Sequence, residues 1–207
     1  VDFDELYRLD PPFHENDGRL CSYRSSRDCC LYVYHHVSPT MRTIETGCGF
    51  STVCFAVKGS HHLCIEPDAD VIRRVQEFCA LKGISLEHCH FVNERSEVYL
   101  PSMPHGGMVD FALIDGRHAF PTPFLDWFYI ADRMRTGSIV VVDDTQLWTG
   151  KTLADFLRAE EGWNNGLELG IDRVRSEVFA KTTDDRCRDK WWGEQPFVKS
   201  QSVTGAV

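Results

Sequence analysis

At 207 residues, 43% apolar and 26% charged, the chain has the make-up of an ordinary globular protein of one domain with a small appendage, at roughly 150 residues per domain. Its 31 acidic side chains against 22 basic ones leave a formal charge of -9, which argues against phosphate backbones or anionic lipid as partners, so no nucleic acid is expected. No apolar run approaches the ~18 to 20 residues that span a bilayer, and Val1-Asp2-Phe3-Asp4-Glu5 is acidic where a signal peptide is basic, so a soluble, cytoplasmic chain with no membrane partner is expected. The 9 cysteines are odd in number, scattered and mostly set in apolar stretches, which fits a reducing compartment. His88-Cys89-His90 reads as strand, where alternation sends neighbours to opposite faces, so no structural zinc is expected there.

In chain order, Ser25 to Val37 predicts a helix within a forty-residue lid or extra layer. From there β-branched runs alternate with amphipathic stretches, the pattern of a parallel α/β sheet with crossover helices. Thr43 to Thr46 is a first strand, Ser51 to Lys58 a helix closed by Gly59, and His61 to Glu66 a second strand. Asp68 caps a long helix carrying Val71, Val75, Phe78 and Cys79 at spacings of three and four, and Gly83 stops it. His88 to Val92 is a third strand, Ser96 to Leu100 a short helix, and Val109 to Ile114 a fourth strand.

Thr122-Pro123, a capping hydroxyl followed by proline, opens a helix over Phe124 to Met134. Ser138 to Val142 is a fifth strand whose unbroken apolar run implies burial on both faces, and Thr152 to Glu160 a helix. Leu167 to Ile171 and Val174 to Lys181 are separated only by Asp172-Arg173, too short for a crossover, so they pair antiparallel. The fold expected is therefore α/β, a Rossmann-like doubly wound and mostly parallel seven-stranded sheet ending in an antiparallel hairpin.

In such sheets ligands bind beyond the carboxyl ends of the strands, near the point where strand order reverses. Past the first strand stands Glu45-Thr46-Gly47-Cys48-Gly49-Phe50-Ser51, in which two glycines admit a close ligand and Ser51 opens a helix. Glu66 ends the second strand nineteen residues after Gly47, where a carboxylate can accept from both hydroxyls of a ribose. A dinucleotide site would place a third glycine at position 52, which is Thr52, so a nucleoside without pyrophosphate fits better. Asp115 ends the fourth strand and Asp143-Asp144 the fifth, so three carboxylates converge from neighbouring strand ends. Such a cluster repels itself unless a cation compensates, and hard oxygen ligands suit Mg2+ or a similar divalent ion.

Together, the E-x-G-x-G-x-S loop between strand and helix, the second strand ending in Glu and the closing hairpin resemble the class I S-adenosylmethionine-dependent methyltransferases over about residues 40 to 182. The resemblance implies that Glu45, Gly47, Gly49 and Ser51 cradle the methionine part of S-adenosylmethionine, that Glu66 binds its ribose, that Ser96, beside Glu94 and Arg95, meets the adenine edge, and that Asp115 also contacts the cofactor. It divides the chain into an N-terminal helical cap over residues 1–40, a cofactor-binding domain over 41–182 and a polar tail over 183–207. The carboxylate trio further resembles the catechol-type, metal-dependent O-methyltransferases, with Asp115, Asp143 and Asp144 as metal ligands and Asp115 and His118 as catalytic residues. His118 stands where those enzymes carry a lysine base, and an imidazole titrates near neutrality without a large shift. Asp143-Asp144 replaces their usual Asp-Asn, so the acceptor is not carried over.

The expectation is thus a methyltransferase acting on a hydroxyl of a small molecule with a divalent cation. The alternatives are a metal-independent N- or O-methyltransferase and a catalytically silent domain that only binds. His35-His36 and His61-His62 are assigned nothing, Trp191-Trp192 either close over a substrate or anchor the tail, and self-association into a homo-oligomer is left open.

Overall fold

The computed structural model of the chain describes residues 2–104, 107–164, 166–170, 174–184 and 189–201. Its N-terminal layer has more structure than the single expected helix. Helix α1 (Phe3–Arg8) is capped by the Asp2 carboxylate, which accepts from the Glu5 amide at 2.9 Å. A hairpin of β1 (His14–Asn16) and β2 (Arg19–Cys21) follows, and then α2 (Arg27–His36), capped by Ser26. Phe3, Leu6, Phe13, Cys29, Cys30 and Val33 are buried in the same apolar cluster as one face of the main sheet.

The sheet is built from β3 (Arg42–Thr46), β4 (His61–Ile65), β5 (Cys89–Val92), β6 (Val109–Ile114), β7 (Met134–Val142), β8 (Leu167–Leu169) and β9 (Ser176–Ala180). They lie in the order β5-β4-β3-β6-β7-β9-β8; the first five are parallel, and β9 runs antiparallel to both β7 and β8. Helices α3 (Phe50–Lys58), α4 (Ala69–Lys82), α5 (Ser96–Ser102), α6 (Thr122–Ala131) and α7 (Trp148–Ala159) provide the crossovers.

Strand periodicity divides the interior in two. Phe111, Leu113 and Val141 enter one core with α2, α3 and α4, while Ala112, Ile114, Val140 and Val142 enter the other with α6 and α7. That double burial is what the run Ile139-Val140-Val141-Val142 predicts. Asp68 caps α4, and Gly59 and Gly83, both left-handed, close α3 and α4 as expected.

Some boundaries differ from expectation. The helix expected to reach Met134 stops at Ala131, because the Arg133 carbonyl accepts from the Val109 amide at 2.8 Å and Met134 pairs with Val109 in the sheet. Ile130, Ala131 and Met134 are buried in the same core, so an apolar run could not say where helix ends and strand begins. The cap of α6 is Pro121, one residue before Thr122, and α7 starts at Trp148 rather than Thr152. Strand β8 ends at Leu169; Ile171, Asp172-Arg173 and Cys187 lie outside the described residues. In the tail, Phe197 of α8 (Pro196–Gln201) meets Phe156 edge-on at 5.8 Å, and Trp191 and Trp192 are exposed.

Candidate active site

Chain order reverses across β3 and β6, whose carboxyl ends define the switch point. Gly47 sits there with φ +90, and a Cβ on it would fall 2.3 Å from the Asp115 carbonyl, so only glycine lets β3 and β6 close on each other. Beneath the loop, Glu45 is sealed in the core. Its carboxylate accepts from Ser51 Oγ at 2.7 Å, from His62 Nε2 at 3.0 Å and from Thr52 Oγ1, which itself accepts from the Gly49 amide at 3.0 Å. His62 is buried too, contacting Thr43 Oγ1 at 2.8 Å and stacking on Phe55 at 4.2 Å between ring centres.

Glu45 was expected to touch the cofactor. It lines no part of the cavity, because both its oxygens are engaged below the loop, and its part in the site is to hold Ser51 and Thr52 in place. His62, assigned nothing from sequence, completes that network. The register offered a clue: Thr43 pairs with His62 and Glu45 with Cys64, so alternation puts all four side chains on one face of adjacent strands.

Above the loop lies a cavity of about 850 Å³ lined by Gly47 to Ser51, Glu66, Ser96, Asp115 to His118, Asp143 and Asp144. From the N-terminal layer it takes His14, Tyr23, Arg24 and Ser25, for which no motif gave warning. Glu66 accepts from the Asp68 amide at 2.8 Å, and burial pushes its carboxyl up to about 7. Ser96 opens α5 at the cavity wall. Behind it, burial pushes the fully enclosed Asp126 up to about 6, with the Ser96 and Thr46 hydroxyls pulling the other way.

The three strand-end aspartates all line this cavity, but they face different partners. Asp115 accepts from Ser25 Oγ at 3.0 Å, which ties the N-terminal layer to the end of β6. Burial, then the charges of Asp143 and Asp144, push its carboxyl well above the usual range. Asp143, also raised by burial, accepts from Ser176 Oγ of β9. Asp144 adopts the left-handed φ of 51 and meets His118, with Oδ2 to Nε2 at 2.8 Å. Burial raises Asp144, but the His118 contact outweighs it and leaves the carboxyl below its ordinary value. Burial likewise lowers His118, and Asp144 outweighs that too, leaving the imidazole above its ordinary value. Asp115 Oδ1 stands 3.9 Å from the same nitrogen.

Asp115, His118 and Asp144 can each present one ligand atom within 4.8 Å of the others. Where the sequence grouped three carboxylates, the structure groups two of them with the imidazole, and Asp143 turns to Ser176.

Strand order, glycine loop and acidic strand end together define the class I S-adenosylmethionine-dependent methyltransferases. A family model described as "Methyltransferase domain" matches residues 44–145, from β3 to the residue after Asp144, and this stretch carries the pattern of that class. No curated protein matches the chain.

Several solved structures do. The O-methyltransferase TomG from Streptomyces achromogenes, involved in tomaymycin synthesis and solved with S-adenosylmethionine, is similar at 16% identity and a TM-score of 0.69, over 88% of this chain and 92% of that one. An O-methyltransferase from Bacillus cereus in complex with S-adenosylhomocysteine is similar at 12% identity and 0.63, over 86% and 90%. An rRNA methylase from Streptococcus thermophilus is similar at 11% and 0.60, over 76% and 98%. At these identities the likeness is one of fold. Among the described residues, no helix is long and apolar enough to cross a membrane.

Proposed function

We propose that this protein transfers the methyl group of S-adenosylmethionine to a hydroxyl oxygen of a small molecule, with His118 as the base. The observation that carries this reading is the position of His118 Nε2, 2.8 Å from Asp144 and 3.9 Å from Asp115, in the same cavity as Gly47, Gly49 and Glu66. Bound S-adenosylmethionine supplies a methyl group on a positively charged sulfur. The chain's own residues bind and orient it: Glu66 accepts from the ribose hydroxyls, Ser96 meets the adenine edge, and Gly47, Gly49 and Ser51 admit the methionine part. Asp115 faces the ammonium group of that part, and Glu45 supports the loop from below.

His118 takes the proton from the acceptor hydroxyl at Nδ1, since Nε2 donates to Asp144, and Asp144 stabilises the imidazolium that results. The net charge of -9 favours a small acceptor over RNA. TomG, an O-methyltransferase of similar fold, supports oxygen as the atom methylated.

A second reading is favoured by the donor set itself. Asp115, His118 and Asp144, with Asp143 behind them, offer oxygen and imidazole donors that suit a divalent cation, which would lower the pKa of the acceptor hydroxyl. In this reading Nε2 would be a ligand atom and could not carry the proton it shares with Asp144, so the two readings divide at the His118–Asp144 contact.

Calorimetric titration of S-adenosylhomocysteine, followed by methyl transfer to a panel of hydroxyl acceptors with Mg2+, Mn2+ or chelator, tests both. Micromolar binding and turnover that survives chelator support His118 as base. Turnover lost to chelator and restored by the ion supports the cation. No binding under any condition overturns the cofactor reading.

A further inference from the structure

His14 is the first residue of β1 and lies outside the glycine loop and away from the carboxyl ends of the main-sheet strands, yet it lines the cavity. Its Nε2 stands 3.4 Å from where a Cβ on Gly49 would be, so the imidazole rests against the residue that caps α3. The placement is rigid. Arg74 of α4 donates to the Phe13 carbonyl at 2.9 Å and pairs with Glu15 at 3.3 Å, while buried Phe13 packs edge-on against Phe78 at 5.5 Å. Tyr23 closes the other side of the imidazole, with ring centres 5.9 Å apart.

An imidazole N–H held over the first turn of a nine-residue helix makes a place for an anion, since the amides of that turn have no partner within the helix and carry its positive end. S-adenosylmethionine has one anionic group, the carboxylate of its amino-acid part; its ribose and adenine are neutral. We propose that His14 binds this carboxylate, so that the N-terminal hairpin is part of the cofactor site and reads the amino-acid end of the ligand. The proposal rests on the cofactor reading above and assigns one more residue to it.

The charges around His14 are mixed. Asp68 at the cap of α4 favours its protonated form and Arg74 opposes it. Glu15, on its own strand, is held by Arg74, and Glu66 shares the cavity. Burial is the largest influence and sets the imidazole below its ordinary value, which favours the neutral ring. An arriving carboxylate favours the protonated ring, and binding should therefore take up a proton.

The test compares S-adenosylhomocysteine with 5′-methylthioadenosine, which keeps the nucleoside and lacks the amino-acid part. His14→Ala should weaken S-adenosylhomocysteine about tenfold, in keeping with the loss of a charged hydrogen bond. It should leave 5′-methylthioadenosine within about twofold. Titrations at pH 7 in buffers of different ionisation enthalpy should show proton uptake with S-adenosylhomocysteine in the unmutated protein, and His14→Gln, which keeps a donor without a titrating group, should lose that uptake.

Unchanged affinity for S-adenosylhomocysteine in His14→Ala overturns the proposal. Equal weakening of both ligands overturns it as well, because the contact would then be to the nucleoside or the variant would have lost the hairpin. Failure of the unmutated protein to bind either ligand sinks the cofactor reading itself, which separates that outcome from the others.

Discussion

Two carboxylate–imidazole pairs flank the switch point, and only one of them meets the cavity. Glu45 and His62 lie 3.0 Å apart at 1% and 0% side-chain exposure, and their remaining bonds go to Thr43, Ser51 and Thr52. Asp144 and His118 lie 2.8 Å apart at 22% and 34%, on the cavity wall, with Asp115 close enough to share the imidazole. The groups are nearly the same and the distances nearly equal. What differs is whether the partners are all internal, which makes a pair structural, or whether one side is left to the cavity, where a ligand can complete it. The sealed pair holds the glycine loop from below, and the open pair lines the cavity above it.

This contrast predicts opposite responses to mutation. Glu45→Ala strands the His62 imidazole and two hydroxyls in the core and should cost about 3 to 5 kcal/mol in urea unfolding. A loss below about 1 kcal/mol would mean the pair is not sealed, and the contrast would collapse. His118→Ala should cut turnover about a hundredfold or more while moving stability by no more than about 1 kcal/mol. Undiminished turnover in a folded variant would leave the open pair as structural as the closed one.

Glu66 sharpens the comparison as a lone carboxylate on the cavity side. Glu66→Ala should weaken S-adenosylhomocysteine by about 1 to 3 kcal/mol by calorimetry, and unchanged affinity would remove it from the ribose. Its pH response follows from a carboxyl raised from 4.5 to about 7 by burial. The folded state keeps this proton after the unfolded chain has released it, so stability falls as pH rises from about 4.5 to about 7. Glu66→Gln should flatten that fall by about 1 to 3 kcal/mol; identical stability profiles for the two proteins would show that the group is not desolvated.

Periodicity and spacing are properties of neighbouring residues, so what they encode could be read without coordinates. The strands from Thr43 to Val142, the caps Asp68, Gly59 and Gly83, the antiparallel end of the sheet and the glycine loop with Glu66 nineteen residues on are all of this kind. The end of α6 was not, since Met134 is buried as well in a strand as in a helix and only its pairing with Val109 decides.

The same limit governs the site. Sequence placed Asp115, Asp143 and Asp144 at neighbouring strand ends, because each ends an apolar run. Which way each carboxylate turns depends on groups far away in the chain: Ser25 for Asp115, Ser176 for Asp143, and His118 across the left-handed turn at Asp144. Glu45 carries the motif position of a cofactor residue, and only the burial of its partners takes it out of the cavity. His14 carries no motif at all, and it reaches Gly49 because Arg74 and Phe78, some sixty residues later, hold its hairpin there. Local pattern determined the class of fold and the cofactor loop. Which side chains face the cavity was decided by long-range packing and hydrogen bonding, which set burial and direction and leave no trace in local spacing.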